Sequence, residues 1–134
     1  MVVLDTSIVF KWFSDTEEKR EEAKIFLLNH LNKTEPIVVP DLLLCEISNA
    51  WATKTALTSE EVAENLTLLN TYALNIVPVS FDLVMKASRY SKIYSISVYD
   101  AIYIVLAEEK KIRLVTADEK LCKKVPLRFV SCLR

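Results

Sequence analysis

The sequence predicts a three-layer α/β/α sandwich built on a parallel sheet of four to five strands. Short β-branched runs alternate with longer stretches of helical periodicity along the whole chain, and strands separated by helices pair in parallel through right-handed crossovers. At 134 residues, 51% of them apolar, the chain is long enough for a real core and too short for two ordinary domains, so residues 1–134 read as one domain. No internal repeat, low-complexity stretch or linker interrupts the pattern.

The elements follow in order. Val2-Val3-Leu4 reads as a buried strand, with a helix after it over residues 7–13. A second helix, 17–32, places Ala23, Phe26, Leu27 and Leu31 on one apolar face. Ile37-Val38-Val39 is the next strand. Pro40 then stands where a helix begins, because the first turn needs no proline N–H, and that helix runs to about residue 57. Thr58 and Glu61 form a capping-box pattern that opens a helix over 58–73. Ile76-Val77-Pro78-Val79 is a short strand, followed by helices over 81–93 and 97–110. Leu114-Val115-Thr116 is a strand, 118–124 a short helix, and Arg128-Phe129-Val130 the last strand. In such a sheet the working site lies at the carboxyl ends of the strands.

Composition removes several function classes. The chain has no glycine, which excludes Gly-rich dinucleotide and Walker A loops, since both need backbone that only glycine brings close to phosphate. Its one histidine, His30, excludes multi-histidine metal sites and would have to serve any Ser-His-Asp triad alone. Cys45, Cys122 and Cys132 form no C-x-x-C pair, so a zinc knuckle or thioredoxin motif is not indicated. They read as small hydrophobes, with a Cys122–Cys132 bridge open if the source is a hyperthermophile. The odd cysteine count and the lack of a signal peptide give the expectation of a reducing cytoplasm. No apolar run approaches the ~18–20 residues of a membrane span.

The net charge of −1 hides an asymmetry. Residues 1–85 carry 6 basic and 13 acidic side chains, and residues 86–134 carry 11 basic and 5 acidic. The basic last third is either a phosphate-binding face or a set of solvated helix faces. Phe10, Trp12, Phe13 and Trp51 read as core rings or as a partner-binding face, and Tyr90, Tyr94, Tyr99 and Tyr103 as packing or base-stacking groups.

Four carboxylates stand out. Asp5 ends the first strand and is either a helix N-cap or a site residue. Glu46 lies in Leu42-Leu43-Leu44-Cys45-Glu46-Ile47, where burying an unpaired carboxylate costs several kcal/mol or forces protonation. Asn49 shares its helix face. Asp100 follows Ser97 at capping-box spacing and is cap, ligand or both. Asp118 follows the strand at Leu114-Val115-Thr116 and is again N-cap or site residue. In a parallel sandwich all four can face one crevice. Anions ~4 Å apart repel by about 4 kcal/mol per pair at an effective dielectric near 20. No Lys or Arg lies within the stretches that carry these four acids, up to Asp118 in the last, so Mg²⁺ or Mn²⁺ is the expected neutraliser.

Val2-Val3-Leu4-Asp5-Thr6-Ser7, Pro40-x-x-Leu43-x-x-Glu46-x-x-Asn49, Ser97-x-x-Asp100-Ala101-x-Tyr103 and Leu114-Val115-Thr116-Ala117-Asp118-x-x-Leu121 together resemble the PIN-domain family, and within it the single-domain VapC-type toxin ribonucleases. The resemblance covers nearly the whole chain. It implies a Mg²⁺- or Mn²⁺-dependent endoribonuclease with Asp5, Glu46, Asp100 and Asp118 as its acids and Thr6, Asn49 and Thr116 as supporting polar residues. It also implies a homodimer, a VapB-type antitoxin partner, and structured RNA such as tRNA or rRNA as substrate. Lys86, Arg89, Lys92, Lys110, Lys111 and Arg113 are the candidate RNA-backbone contacts. One departure is the absence of the glycine that relatives often carry before the fourth strand, which leaves the helix over 97–110 to end without the usual left-handed residue. Alternatives are a housekeeping PIN-domain RNA-processing nuclease without an antitoxin, and a non-catalytic RNA-binding PIN-like module. A haloacid-dehalogenase-type phosphatase fits poorly, because Ser7 stands where a second Asp is needed, and a receiver domain lacks its paired acids and late strand-end Lys.

Overall fold

A computed structural model describes residues 1–134. The five strands are β1 (Val2–Leu4), β2 (Ile37–Pro40), β3 (Asn75–Val77), β4 (Arg113–Thr116) and β5 (Val130–Cys132). They form one sheet of order β3-β2-β1-β4-β5 with every pairing parallel. The helices are α1 (Thr6–Trp12), α2 (Arg20–Leu31), α3 (Leu42–Lys54), α4 (Ser59–Thr71), α5 (Phe81–Tyr94), α6 (Val98–Lys110) and α7 (Glu119–Lys124). None is long and apolar enough to cross a membrane.

The three layers follow from strand periodicity. Alternate side chains of a strand point to opposite faces. Val2, Leu4, Ile37, Val39 and Val115 pack with residues of α1, α2, α3 and α4, including Ile8, Leu27, Leu43, Ile47, Trp51 and Leu69. Their neighbours Val3, Val38 and Leu114 face the other way, against Tyr103, Ile104, Leu106 and Ala107 of α6 and Leu121 of α7. All three central strands are therefore covered on both faces, which is why their sequences run apolar without alternation. α6 is buried on two sides: Ala101, Ile102 and Val105 meet Leu83 and Ala87 of α5. That explains seven consecutive buried residues, Ala101–Ala107, in place of an amphipathic stripe.

Several expected boundaries move. α2 starts at Arg20 and not at 17, because Lys19 takes a left-handed conformation (φ 57°) that breaks the helix before it. Pro40 closes β2 and pairs with Val77, so α3 begins only at Leu42. The last residue of β2 paired to β1 is Val38, so proline's missing N–H falls beyond that ladder. β3 starts at Asn75, and β5 lies at Val130–Cys132, two residues past the expected strand, after a turn in which the Val130 N–H bonds the Leu127 carbonyl.

A chain without glycine still needs left-handed backbone, and five non-glycine residues supply it: Lys19, Lys33, Ala73, Ser95 and Lys111. Lys111 corrects the expectation for the end of α6. The left-handed cap is present (φ 56°), with a lysine accepting the conformation and its N–H closing on the carbonyls of Ala107 and Glu108.

The cysteine expectation also changes. Packing of α7 beside β5 brings the Cα atoms of Cys122 and Cys132 to 6.0 Å, and the two are joined in a disulfide. Cys45 is exposed and free.

Candidate active site

Because the strands are parallel, the loops after β1, β2 and β4 open on the same edge of the sheet. Asp5 sits one residue past β1 and caps α1. It is 6% exposed. Its Oδ1 accepts from the Ser7 backbone N–H at 3.1 Å and from the Ser7 hydroxyl, and its Oδ2 accepts from the Thr116 hydroxyl. Burial lifts its pKa from 3.8 to about 6; the two hydroxyl bonds pull it down, and the charge of Asp100 raises it further. The cap and site readings thus hold together for this residue.

Asp100 lies in the first turn of α6, whose N-cap Ser97 accepts from the Asp100 N–H at 3.0 Å. Burial raises its pKa, the Ser97 bond lowers it, and the charges of Asp118 and Glu46 raise it. Asp118 is exposed and caps α7, with Oδ1 accepting from the Lys120 and Leu121 N–H groups. Glu46, on α3, is partly buried. Its Oε1 accepts from the Thr6 hydroxyl at 2.8 Å and the Tyr103 hydroxyl at 2.7 Å.

Asp100 is the electrostatic hub: it feels Asp118 and Glu46, and Asp5 feels Asp100. None of the four carboxylates takes part in an ion pair. No three acidic, histidine or cysteine side chains are drawn as close as a closed metal cage requires. The donor set is nonetheless the one a hard divalent cation takes: carboxylate oxygens braced by hydroxyls, with no competing basic side chain.

Beside the acids lies an open cleft of about 350 Å³, lined by Thr6, Ser7, Phe10, Lys11, Glu17, Ala50, Lys54, Ala117 and Asp118. Lys11 is occupied, donating to the Glu18 carbonyl at 2.7 Å and pairing with Glu17 at 3.5 Å. Lys54 is exposed and makes no ion pair.

The other expected site residues divide. Thr6 and Thr116 each bond a carboxylate of the cluster. Asn49 is exposed on α3, and only its backbone carbonyl is bonded, by Thr53. Lys110 and Lys111 end α6 and Arg113 starts β4, so they lie at the amino edge of the sheet, a full strand length from the acids. Arg113 is moreover paired with Glu35 at 3.0 Å and lies over the Phe26 ring. Lys86 is neutralised by Asp82 and Glu109. Arg89 and Lys92 are exposed on α5 without ion-pair partners.

His30 is fully used by the backbone: Nδ1 accepts from the Ile37 N–H, which leaves Nε2–H to donate to the Tyr72 carbonyl. It staples α2 to β2 and α4 and is no triad base. Trp12 and Trp51 are core rings, and Phe13 packs edge-on against Trp51. Tyr90 and Tyr94 pack on each other, while Tyr99 is exposed.

Two residues had no role at the acidic site assigned from sequence, Ser7 and Tyr103, the latter having been read as a packing or base-stacking ring. Ser7 bridges Asp5 to the β4–α7 loop, its hydroxyl also accepting from the Ala117 N–H at 2.8 Å. Tyr103 bonds Glu46 from α6. Both stand inside the quoted motifs; the signal was a polar group in an otherwise apolar helix for Tyr103, and the Asp-x-Ser spacing for Ser7.

A family model, described as the PIN domain, matches residues 2–125. Similar solved structures include VapBC2 of Rickettsia felis bound to a promoter DNA fragment, 18% identical, covering 100% of both chains with a TM-score of 0.73. A toxin–antitoxin complex from Klebsiella pneumoniae is 21% identical over 97% of this chain and 95% of its own, TM-score 0.70. VapC20 of Mycobacterium tuberculosis, a sarcin–ricin-loop-cleaving toxin, is 15% identical over 96% and 99%, TM-score 0.70. At these identities the likeness speaks for the fold alone. Among curated proteins, no sequence matches the chain.

Proposed function

The chain belongs to the PIN-domain family, and from that premise we propose that it is a divalent-cation-dependent endoribonuclease, the toxin of a VapBC-type pair. One observation carries the reading: Asp5, Glu46, Asp100 and Asp118 arrive from four separate chain segments, Asp100 is coupled by charge to each of the other three, and none has an ion-pair partner. Holding a buried carboxylate such as Asp5 and its partly buried neighbours unpaired is costly unless a cation joins them.

Asp5, Asp100 and Glu46 are the residues that would hold Mg²⁺ or Mn²⁺, with Asp118 completing the set when substrate is present. The ion supplies charge stabilisation at the scissile phosphate and a lowered pKa for the attacking water. The chain's own hydroxyls do the positioning. Ser7 and Thr116 fix both oxygens of Asp5, and Thr6 holds Glu46. Attack by water leaves a 5′-phosphate and a 3′-hydroxyl and makes no use of the ribose 2′-hydroxyl. The RNA strand enters through the cleft beside Asp118, with Lys54 meeting a phosphate, so affinity falls with salt. The toxin acts in the cytoplasm as a homodimer, and a VapB-type antitoxin holds it inactive. The complexes among the similar structures support that partnership.

The test is an assay of the purified protein on tRNA and rRNA with Mg²⁺, with EDTA, and as Asp5→Asn. Cleavage is expected only for the wild type with Mg²⁺. Cleavage that survives both EDTA and the substitution would overturn the proposal.

A further inference from the structure

We propose that Tyr103 is a positioning residue of the acidic site, one that fixes the carboxylate of Glu46 through its hydroxyl and leaves Oε2 without a hydrogen-bond partner. This rests on the reading of the acids as a divalent-cation site.

The geometry is a ring of three oxygens from three elements. Tyr103 OH is 2.7 Å and Thr6 Oγ1 2.8 Å from Glu46 Oε1, and the two hydroxyls are 3.0 Å apart. Each hydroxyl has a single proton. With both given to Oε1, no proton is left for the short contact between the hydroxyls, so that contact exists because both converge on one acceptor. One carboxylate oxygen therefore takes two donors and its twin takes none. A glutamate has three side-chain torsions to fix, and an ion ligand that wanders binds poorly. Here the brace comes from α6, the most deeply buried helix, and the Tyr103 ring is 1% exposed, wedged among Val3, Ile104 and Leu114. A ring so held cannot swing with solvent, and its hydroxyl transmits that rigidity to α3.

Packing alone does not account for the hydroxyl. Phenylalanine fills the same volume and would avoid placing a phenol oxygen in the core. The hydroxyl's partners are Glu46 and Thr6, both at the site, and no backbone group.

The experiment titrates Mn²⁺ calorimetrically into wild type, Tyr103→Phe, Thr6→Val and the double variant, each checked by circular dichroism and thermal melting. Removing an outer partner of an ion ligand typically weakens binding about 10–100-fold. Tyr103→Phe is expected to keep the fold and weaken Mn²⁺ at least about tenfold, and the double variant to lose less than the product of the two single losses, since both hydroxyls serve one oxygen. On RNA, kcat at fixed Mn²⁺ is expected to fall while KM stays. A Tyr103→Phe protein that folds and binds Mn²⁺ within twofold of wild type would overturn the inference. If Tyr103→Phe does not fold, Thr6→Val at the rim carries the same expectation and the same refutation. Wild type that takes up no Mn²⁺ would overturn both this inference and the cation site. Wild type that binds Mn²⁺ in a Tyr103-dependent way yet cuts no RNA would sink the proposed nuclease activity and leave the inference standing.

Discussion

Replacing Asp5 by asparagine is expected to stabilise the metal-free protein at neutral pH while removing its activity. The carboxyl titrates near 3.8 when unfolded and at about 6 when folded, chiefly because it is buried. Below pH ~4 both states carry the proton and Asp5 costs nothing. Between the two values the folded state keeps a proton that the unfolded chain has released, so stability falls as pH rises, and the loss is complete once pH exceeds the folded value. A shift of roughly two units corresponds to about 3 kcal/mol at 1.36 kcal/mol per unit. Asparagine carries no charge and escapes that cost. Its amide nitrogen cannot accept from Ser7 or Thr116, however, and one lost bond returns about 1 kcal/mol. The net expectation is a gain of about 2 kcal/mol above pH ~7 and a loss of about 1 kcal/mol at pH ~4. Urea unfolding in EDTA across this pH range measures it. Mg²⁺ added at pH ~7.5 should stabilise the wild type, by about 2.7 kcal/mol at a hundred times its Kd, and leave Asp5→Asn nearly unmoved. A variant no more stable than wild type at neutral pH, or one that Mg²⁺ stabilises equally, would refute the reasoning.

Three further outcomes are expected. Lys111→Gly relieves a left-handed lysine at the end of α6 and should raise stability by about 1 kcal/mol, read as a higher urea midpoint. Cys122→Ser opens the bridge across a separation of 10 residues and should cost up to about 3 kcal/mol in a thermal melt under non-reducing conditions, with no further loss on adding reductant. Lys54→Glu should raise KM for RNA severalfold without changing kcat and lower the slope of log affinity against log salt, because one phosphate contact is lost and a repulsion added.

Much of the fold was legible because its central strands are buried on both faces: Val2-Val3-Leu4 and Ile37-Val38-Val39 carry no polar residue and can hardly be anything else. Boundaries were harder where backbone geometry overrode periodicity. The left-handed turn at Lys19 leaves no mark in a sequence of lysines and glutamates, and Pro40 suits a strand end as well as a helix start. The acids were legible as anions set among apolar residues. Their braces were not: Tyr103 meets Thr6 across 97 residues, and Ser7 meets Thr116 across 109. A charge run such as Lys110-Lys111 gives density and not direction. The direction was recoverable, because residues just before a strand in a parallel sheet lie at the edge opposite the site. Lys54, four residues past Ala50 on the wall of the cleft, carries no such cluster and passed unnoticed.

The most direct test of the convergent acids is anomalous diffraction from crystals soaked in Mn²⁺. One strong peak is expected among Asp5, Glu46 and Asp100, held by their oxygens directly or through water, with Asp118 close by. A peak seated elsewhere, or none at a Mn²⁺ concentration that supports cleavage, would contradict it.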